Sequence, residues 1–410
     1  MVAEKLRFLP DVLEEHVEEL AFLWGQRRAA LRSPIYPRRA FLLLEERIAA
    51  HLEGILVVGA PALPLLEETL GSPDPGMAFA AAFAMFRAGG ERGPQLVAEA
   101  FFGSEGERLD ALTDVLVQSP PGALKKRLHE ETVSATPGPP SAASAEVLAF
   151  HGGLALNAEQ FGRLLRHESA EVRRLAWRAA AYETVPRPPD FYRAGLSDPD
   201  AQVRTTVAEA AAWTRQTWLL DHLRERSRAA KAGNVDDLYL LAVLTGADDI
   251  PRVVSAGRDR SLGPGRFEVL AAFGHSSAVE ALLPDLESPD PSTASAAGAA
   301  FARITGQDVA SGNRAPVATA AAPDEFEREF ADEVMLPDPA KARAHWDKVR
   351  GDFAKGTRWT CGLDVSKGAS AEILAQLDMK SRWEACLRGS FERTWQGKPR
   401  DLVLFPQPRG

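Results

Sequence analysis

Apolar and polar positions alternate along this chain with the spacing of helices. In PDVLEEHVEELAFLWGQRRAAL, from Pro10, the residues Leu13, Val17, Leu20, Ala21 and Trp24 share one face, and Glu14, Glu15, Glu18 and Glu19 take the remainder. FLLLEERIAAHLEGILVVG, from Phe41, gives a second helix closing near Gly54 or Gly59. Beyond it one pattern recurs, anchored on Leu70 in LGSPDPGMA, Leu165 in LRHESAEVR, Leu196 in LSDPDAQVR and Leu286 in LESPDPSTA. Seven residues past the anchor stand Met77, Val172, Val203 and Thr293; eleven past stand Ala81, Ala176, Val207 and Ala297. Fourteen past stand Ala84, Ala179, Ala210 and Ala300, and fifteen past stand Met85, Ala180, Ala211 and Phe301. These offsets trace one face of an α-helix.

Leu165 and Leu196 lie 31 residues apart, and a weaker copy at Phe102 follows Leu70 by 32. A period near 30 residues carrying two helices predicts a solenoid, because a lone hairpin has nothing against which to bury this face. GHSSAVEALLPDL from Gly274 and GAPALPLLEETL from Gly59 supply the first helix of such hairpins. FARITG and LAVLTG end helices on Gly306 and Gly246, both suited to a left-handed residue after the last turn. PGPPSAASA, Pro137 to Ala145, reads as a loop or irregular junction.

The remainder differs. Residues 310–336 lose periodicity and turn acidic, which reads as a flexible linker, and six of the ten lysines fall after residue 340. PDPAKARAHWDKVRGDF predicts a helix capped by Asp338 with Pro339 in its first turn, its apolar face made of Ala342, Trp346, Val349 and Phe353. Trp383, Leu387, Phe391 and Trp395 form a second stripe, and DLVLFPQP a short extended tail. The expected organisation is N-terminal capping helices over 1–53, a solenoid over 54–309, the linker over 310–336 and a mainly helical C-terminal module over 337–410 that docks back or stands apart.

Composition narrows the function classes. The 410 residues are 45% hydrophobic and 26% charged with a net charge of −9, so a real core is available and a phosphate backbone is disfavoured as partner. The two cysteines, Cys361 and Cys386, are too few for a disulfide framework or a four-cysteine zinc site, and the expected compartment is the reducing cytoplasm. No apolar run reaches the ~20 residues of a membrane span, and the first residues do not resemble a signal peptide.

The pair Asp198 and Asp200 around Pro199 invites a catalytic or metal-binding reading. Its recurrence as SPDP at Ser72 and Ser288, in the same register, argues instead for a repeat turn, with Asp200 in helix-capping position and able to pair with Arg204. Anchor leucine, Asp–Pro turn and Val–Arg–x–x–Ala together resemble HEAT repeats, particularly the short HEAT-like repeats of the phycobilin-lyase type, over roughly Gly54 to Gly306. Ala78 and Ala294 stand where Arg173 and Arg204 stand, so an arginine ladder is incomplete. LEEHVEELAFLWGQRRAAL, AAFARITG and GTRWTCGLDVS…RWEACLRG…DLVLFPQP resemble a proteobacterial family frequent in myxobacteria and associated with type VI secretion neighbourhoods. That resemblance implies a setting and no particular chemistry.

Nothing else converges. The eight histidines show no HExxH spacing, HGG at His151 has no nucleophile elbow beside it, and SLGPGRFEVL is not a phosphate loop. Basic runs such as RHESAEVRRLAWR are interrupted by Glu168 and Glu171. No catalytic residue, cofactor or metal is therefore expected, and the leading expectation is a non-catalytic scaffold that binds another protein, in the implied setting a secreted effector or toxin. The candidate contact residues are Trp177, Trp213 and Trp218, Tyr182 and Tyr192, with Arg174 and Arg178, because large aromatics partly off the repeated core positions serve as interface anchors; packing between repeats is the equal alternative for each aromatic. Alternatives are a HEAT-like enzyme or nucleic-acid-binding protein, lyase-like or glycosylase-like, or an activity confined to the C-terminal module.

Overall fold

The computed structural model describes residues 9–88, 90–183, 186–228, 235–317 and 332–406, and in it each recurrence of the turn starts a helix. Two residues past the anchor, Ser72 Oγ, His167 Nδ1, Asp198 Oδ1 and Ser288 Oγ each accept the backbone N–H of the residue two further on, at 2.9–3.2 Å. Four past the anchor, Asp74, Asp200 and Asp290 accept N–H groups of Met77 (2.8 Å), Val203 (3.0 Å) and Thr293 (3.0 Å), which are helix N-caps. The stripe that follows is core: at eleven, fourteen and fifteen past the anchor no residue is more than 4% exposed.

The chain divides into two compact units, Met1–Gln216 with Gly397–Gly410, and Thr217–Gln396. The first unit holds α1 (Pro10–Ala30), α2 (Arg38–Val58), α3 (Leu63–Leu70), α4 (Pro75–Ala88), α5 (Arg92–Phe102), α6 (Gly106–Gln118), α7 (Lys125–Thr132), α8 (Pro139–Phe150), α9 (Ala158–Leu165), α10 (Ala170–Tyr182), α11 (Pro189–Gly195) and α12 (Ala201–Trp213). The row α4, α6, α8, α10, α12 packs neighbour on neighbour, each helix paired with the one before it in sequence, and the α1–α2 hairpin lies against α4. Small residues at the buried offsets let these helices approach. Gly195 does the same for α11, since a Cβ there would meet Trp177 at 2.7 Å and Val207 at 2.8 Å.

Of residues 137–145 only Pro137 and Gly138 lie outside a helix. Gly138 opens α8, its N–H accepted by Ser141 Oγ at 3.2 Å, and Pro139 and Pro140 occupy the first turn, where a missing N–H costs nothing. Proline and serine there mark a helix start, and the small residues after them form a fully buried helix.

The second unit contains α13 (Leu219–Arg226), α14 (Val235–Leu244), α15 (Ile250–Arg258), α16 (Gly265–Phe273), α17 (Ser276–Leu282) and α18 (Pro291–Thr305), with α14, α16 and α18 packed in series. Strand β1 (Ala310–Pro316) pairs antiparallel with β2 (Glu333–Pro337), so both ends of the acidic stretch are strands; 318–331 lie outside the described residues. Then come α19 (Pro339–Phe353), the short pair β3 (Trp359–Thr360) and β4 (Leu363–Asp364), α20 (Ala371–Gln376) and α21 (Met379–Glu392). Asp338 caps α19 through Lys341 N–H at 2.9 Å, and Ala342, Trp346 and Phe353 are buried as the periodicity predicts.

This C-terminal stretch closes the helix ends of the second unit. Trp359 N–H donates to Gly274 O (2.8 Å), Cys361 N–H to Arg303 O (2.7 Å) and Gly362 N–H to Ile304 O (3.0 Å). The buried Arg358 guanidinium donates to Ala272 O at 2.7 Å and to Thr245 O, placing a cation at the negative ends of α14 and α16. Gly306 adopts the expected left-handed conformation at φ +75, but Gly246 does not, with φ −105. Arg358 supplies there the cap that a left-handed turn would otherwise give. Below it, Arg303 is paired with Glu384, with Glu268 Oε2 at 3.2 Å and with Ser381 Oγ at 3.2 Å. The buried face of α21 therefore includes Ser381, Glu384 and Arg388; of the four-residue stripe only Leu387 is fully buried. The whole is an all-α solenoid fold of helical hairpins with a mainly helical C-terminal stretch. Its division falls inside the segment read as one solenoid, and α22 (Arg400–Val403) belongs with the first unit.

Candidate partner-binding surface

Of the seven residues singled out in the sequence, the structure brings Arg174, Arg178 and Tyr182 together on α10. Arg178 donates to Glu146 Oε1 on α8 (2.9 Å) and to Asp110 Oδ1 on α6 (2.8 Å), and Arg174 reaches Asp110 Oδ2 at 3.2 Å. From α1, Arg28 meets Asp114 at 3.2 Å, and Arg32, just past its end, meets Glu209 of α12 at 2.6 Å. Trp213 Nε1 donates to the same Glu209 at 3.3 Å. A ladder of alternating charge thus runs along the packed row, with Arg174 and Arg178 about a quarter exposed (24% and 26%), Arg28 and Arg32 about half exposed, and Glu146 only 3% exposed. Burial raises the Glu146 carboxyl to about 7 against the pull of Arg178, with Asp110 and Asp114 adding to the rise. Burial likewise raises Asp114 and the Tyr182 hydroxyl.

Trp177 and Tyr192 are elsewhere. They are 1% and 0% exposed, ring against ring at 5.1 Å in the core beneath Gly195, and so have no surface to offer a partner. Position partly off the repeated stripe left a partner surface and packing between repeats equally open; for these two it is packing, because the stripe undercounts a core that α11 closes from the other side. Trp218 is half-buried in the second unit, 6.5 Å from the His222 ring.

A second polar feature of the first unit was not singled out. The segment from Arg400 to Phe405 lies in a slot made by α1, α4 and α6. Phe405, 4% exposed, packs edge-on against Trp24 (6.1 Å) and Phe83 (6.0 Å), and Trp24 stacks on Phe79 at 4.1 Å. The guanidinium of Arg27 lies 4.9 Å from the Trp24 ring, 5.4 Å from Phe41 and 5.5 Å from Phe405. Glu45 holds it through Oε1 at 2.8 Å and 3.0 Å, and Arg27 Nη2 donates onward to Val403 O at 3.0 Å. Gln118 Nε2 donates to the same carbonyl at 3.1 Å, and Gln118 Oε1 accepts Phe405 N–H at 2.7 Å. Arg27 in the run WGQRRAAL carried one weak signal, an arginine on the apolar side of its helix.

Asp198 accepts two bonds from Arg173, 2.7 Å and 2.8 Å, which hold its carboxyl below the usual range. Arg173 also donates to His167 O and Glu168 O, and Arg204 to Asp198 O and Pro199 O, so Arg204 serves carbonyls and leaves Asp200 to its capping bond. Among the described residues no three His, Cys, Asp or Glu side chains gather as metal ligands would. Cys386 is buried in α21, and burial with the nearby Asp378 carboxylate pushes the Cys361 thiol up to about 11. His151 ends α8, with Nε2 2.9 Å from Leu116 O. Among the described residues no single helix is long and apolar enough to cross a membrane.

No protein-family model matches the chain, and no curated protein does. Among solved structures it is similar to YibA of E. coli, at 16% identity over 61% of this chain and 94% of that one, with a TM-score of 0.40. It is also similar to an engineered protein (14%, covering 93% and 99%, TM-score 0.28) and to Kap121p (12%, covering 98% and 44%, TM-score 0.33).

Proposed function

We propose that this protein is a non-catalytic, cytoplasmic scaffold whose first unit binds another polypeptide. The observation that carries the reading is the slot itself: Arg27 and Gln118, buried polar groups, grip the main chain at Val403 and Phe405, on either side of Leu404 at the end of α22, through three hydrogen bonds. Beside it, the half-open ladder of Arg174, Arg178 and Asp110 offers fixed charges of both signs, which favour specificity and encounter over raw affinity. In the setting that the sequence resemblance implies, the partner is a secreted effector or toxin, and the chain acts as its adaptor, chaperone or immunity factor.

Affinity capture with the full chain from its native cells tests this. A polypeptide should be recovered whose retention falls about tenfold when Arg174 is replaced by glutamate, a rim charge whose loss changes binding without emptying the core. Recovery of no polypeptide, with the bait folded, would sink the proposal.

A further inference from the structure

Helix α2 runs through Gly54 without a break and closes only at Gly59, so Gly54 is not a helix stop. A glycine inside a helix weakens it, and one kept there has a reason in packing or function. The reason is His16 of α1: a Cβ on Gly54 would meet the imidazole Nε2 at 2.6 Å and Cε1 at 2.9 Å. Seated on that bare backbone, the His16 ring presents Nδ1 to Nδ1 of His51, 3.1 Å away, with the ring planes at 71°. Two imidazole nitrogens at that distance share one hydrogen, one ring donating and the other accepting. Both rings are half-buried. Burial and the neighbouring His16 push the His51 imidazole down, so at neutral pH it offers a lone pair rather than a charge. Two zinc–nitrogen bonds at a tetrahedral angle place their nitrogens about 3.3 Å apart, close to the separation already present. Among the described residues no third ligand is already gathered with them. Glu19, one turn along α1 from His16, is near enough for its charge to act on His51. Its carboxylate lies 3.7 Å from Arg47, one turn before His51, with the two side chains 46% and 58% exposed. So open a pair is worth little, and Glu19 can turn to a cation beside the two rings at small cost.

We infer that His16 and His51 form a site for a divalent transition cation such as zinc, held through both Nδ1 atoms with Glu19 as a movable third ligand, and that the ion ties α1 to α2. The hydrogen between the rings moves to an Nε2 when the ion enters, so both imidazoles stay neutral. Imidazole suits zinc, copper and nickel, whereas magnesium prefers oxygen ligands and water. The site goes beyond the polypeptide-binding reading and does not depend on it.

Titration calorimetry of the full-length, chelator-treated chain with zinc chloride should find one ion per chain. His16→Ala and His51→Ala should each weaken zinc binding about tenfold or more. Gly54→Ala is the sharper variant, because it keeps both histidines and removes only the seat of the His16 ring; it should weaken binding by a similar factor. The unaltered chain should melt at a higher temperature with zinc than with chelator, and the three variants should not. Melting each variant in chelator, with its helical circular dichroism, separates a damaged fold from a lost ion, and His51→Gln takes the place of His51→Ala if that chain fails to fold. Zinc binding that survives the loss of either histidine, or that Gly54→Ala leaves unchanged, overturns the inference. So does the absence of zinc binding by the unaltered chain, and so does zinc held only between two chains, seen as zinc-dependent dimers in sedimentation.

Discussion

The charged ladder of the first unit and the Arg303–Glu384 pair of the second bury ionic groups in opposite ways, although the first unit has a sealed pair of its own in Arg27 and Glu45. In the second, Arg303 (6% side-chain exposure) and Glu384 (10%) are sealed beneath the C-terminal stretch, with Tyr239 and Ser381 completing their bonds. In the first, the ladder on α6, α8 and α10 keeps its arginines about a quarter open and leaves one acid, Glu146, buried at an intermediate pKa. The same helical hairpin therefore yields two surfaces. A sealed pair fixes the position of the segment lying on it, and an open ladder remains available to solvent or a partner.

The contrast breaks most readily at Arg303. Arg303→Met leaves Glu384 buried without its cation and is expected to destabilise the second unit by about 3–5 kcal/mol, whereas Arg303→Met with Glu384→Leu should recover most of the loss. Hydrogen exchange along α18 reads this locally, which matters because two units need not unfold together. Arg178→Met in the first unit should cost less, about 1–2 kcal/mol, because Glu146 then takes up a proton. Equal costs at the two sites would erase the distinction between sealed and open.

Acidity separates the units next. Glu146 is raised from 4.5 to about 7 on folding, so the folded state holds its proton more tightly than the unfolded chain. Its contribution to stability is complete below about pH 4.5 and is lost as pH rises through about 7, with a ceiling of about 3 kcal/mol. Denaturation midpoints of the first unit should fall over that range, and Glu146→Gln should flatten the fall. Asp198 carries the opposite sign. Arg173 depresses its carboxyl, so that contribution is present at neutral pH and disappears only as pH drops below the ordinary aspartate range.

How much of this was legible in the sequence follows from what a period can carry. The stripe at Ala81, Ala176, Val207 and Ala297 repeats because every hairpin meets the same neighbour, so residue type alone exposes it. The Asp–Pro turns repeat for the same reason, and Asp74, Asp200 and Asp290 cap as their register implies. Contacts made once leave no such trace. Trp177 is buried because α11 closes over it at Gly195, and Gly246 is not left-handed because an arginine 112 positions later caps its helix. Residues 139–145 look like a loop by composition and become a helix because prolines fall in its first turn. The slot was invisible on two counts: its occupant is hundreds of residues away from Trp24, and its recognising groups, Arg27 and Gln118, sit in helices whose pattern announces only core.

Within the first unit the turns themselves offer a finer comparison. Arg173 and Asp198 join the turns at Leu165 and Leu196, with side-chain exposures of 11% and 8%. A double-mutant cycle on Arg173→Ala and Asp198→Ala should give a coupling of about 2 kcal/mol, as for other hydrogen-bonded charged groups. Additive losses would mean that each side chain serves only its own turn, Arg173 through the carbonyls of His167 and Glu168 and Asp198 through Asp200 N–H.

The smallest effect tests whether that ladder takes over work done elsewhere by the caps. At Leu70 and Leu286 the ladder position is alanine, Ala78 and Ala294, and the turn is held by a serine Oγ and an aspartate cap. At Leu196 the turn has, in addition, Asp198 bonded to Arg173 and Arg204 donating to the carbonyls of Asp198 and Pro199. Removing the cap should therefore matter more where nothing else secures the helix start. Asp74→Ala and Asp290→Ala are expected to cost about 1 kcal/mol each, and Asp200→Ala about half of that. Amide exchange over the first turn of α4, α12 and α18 measures the three sites separately. If Asp200→Ala loses as much protection as the other two, arginine and cap act independently, and the missing arginines at Ala78 and Ala294 cost those turns nothing that their aspartates were compensating.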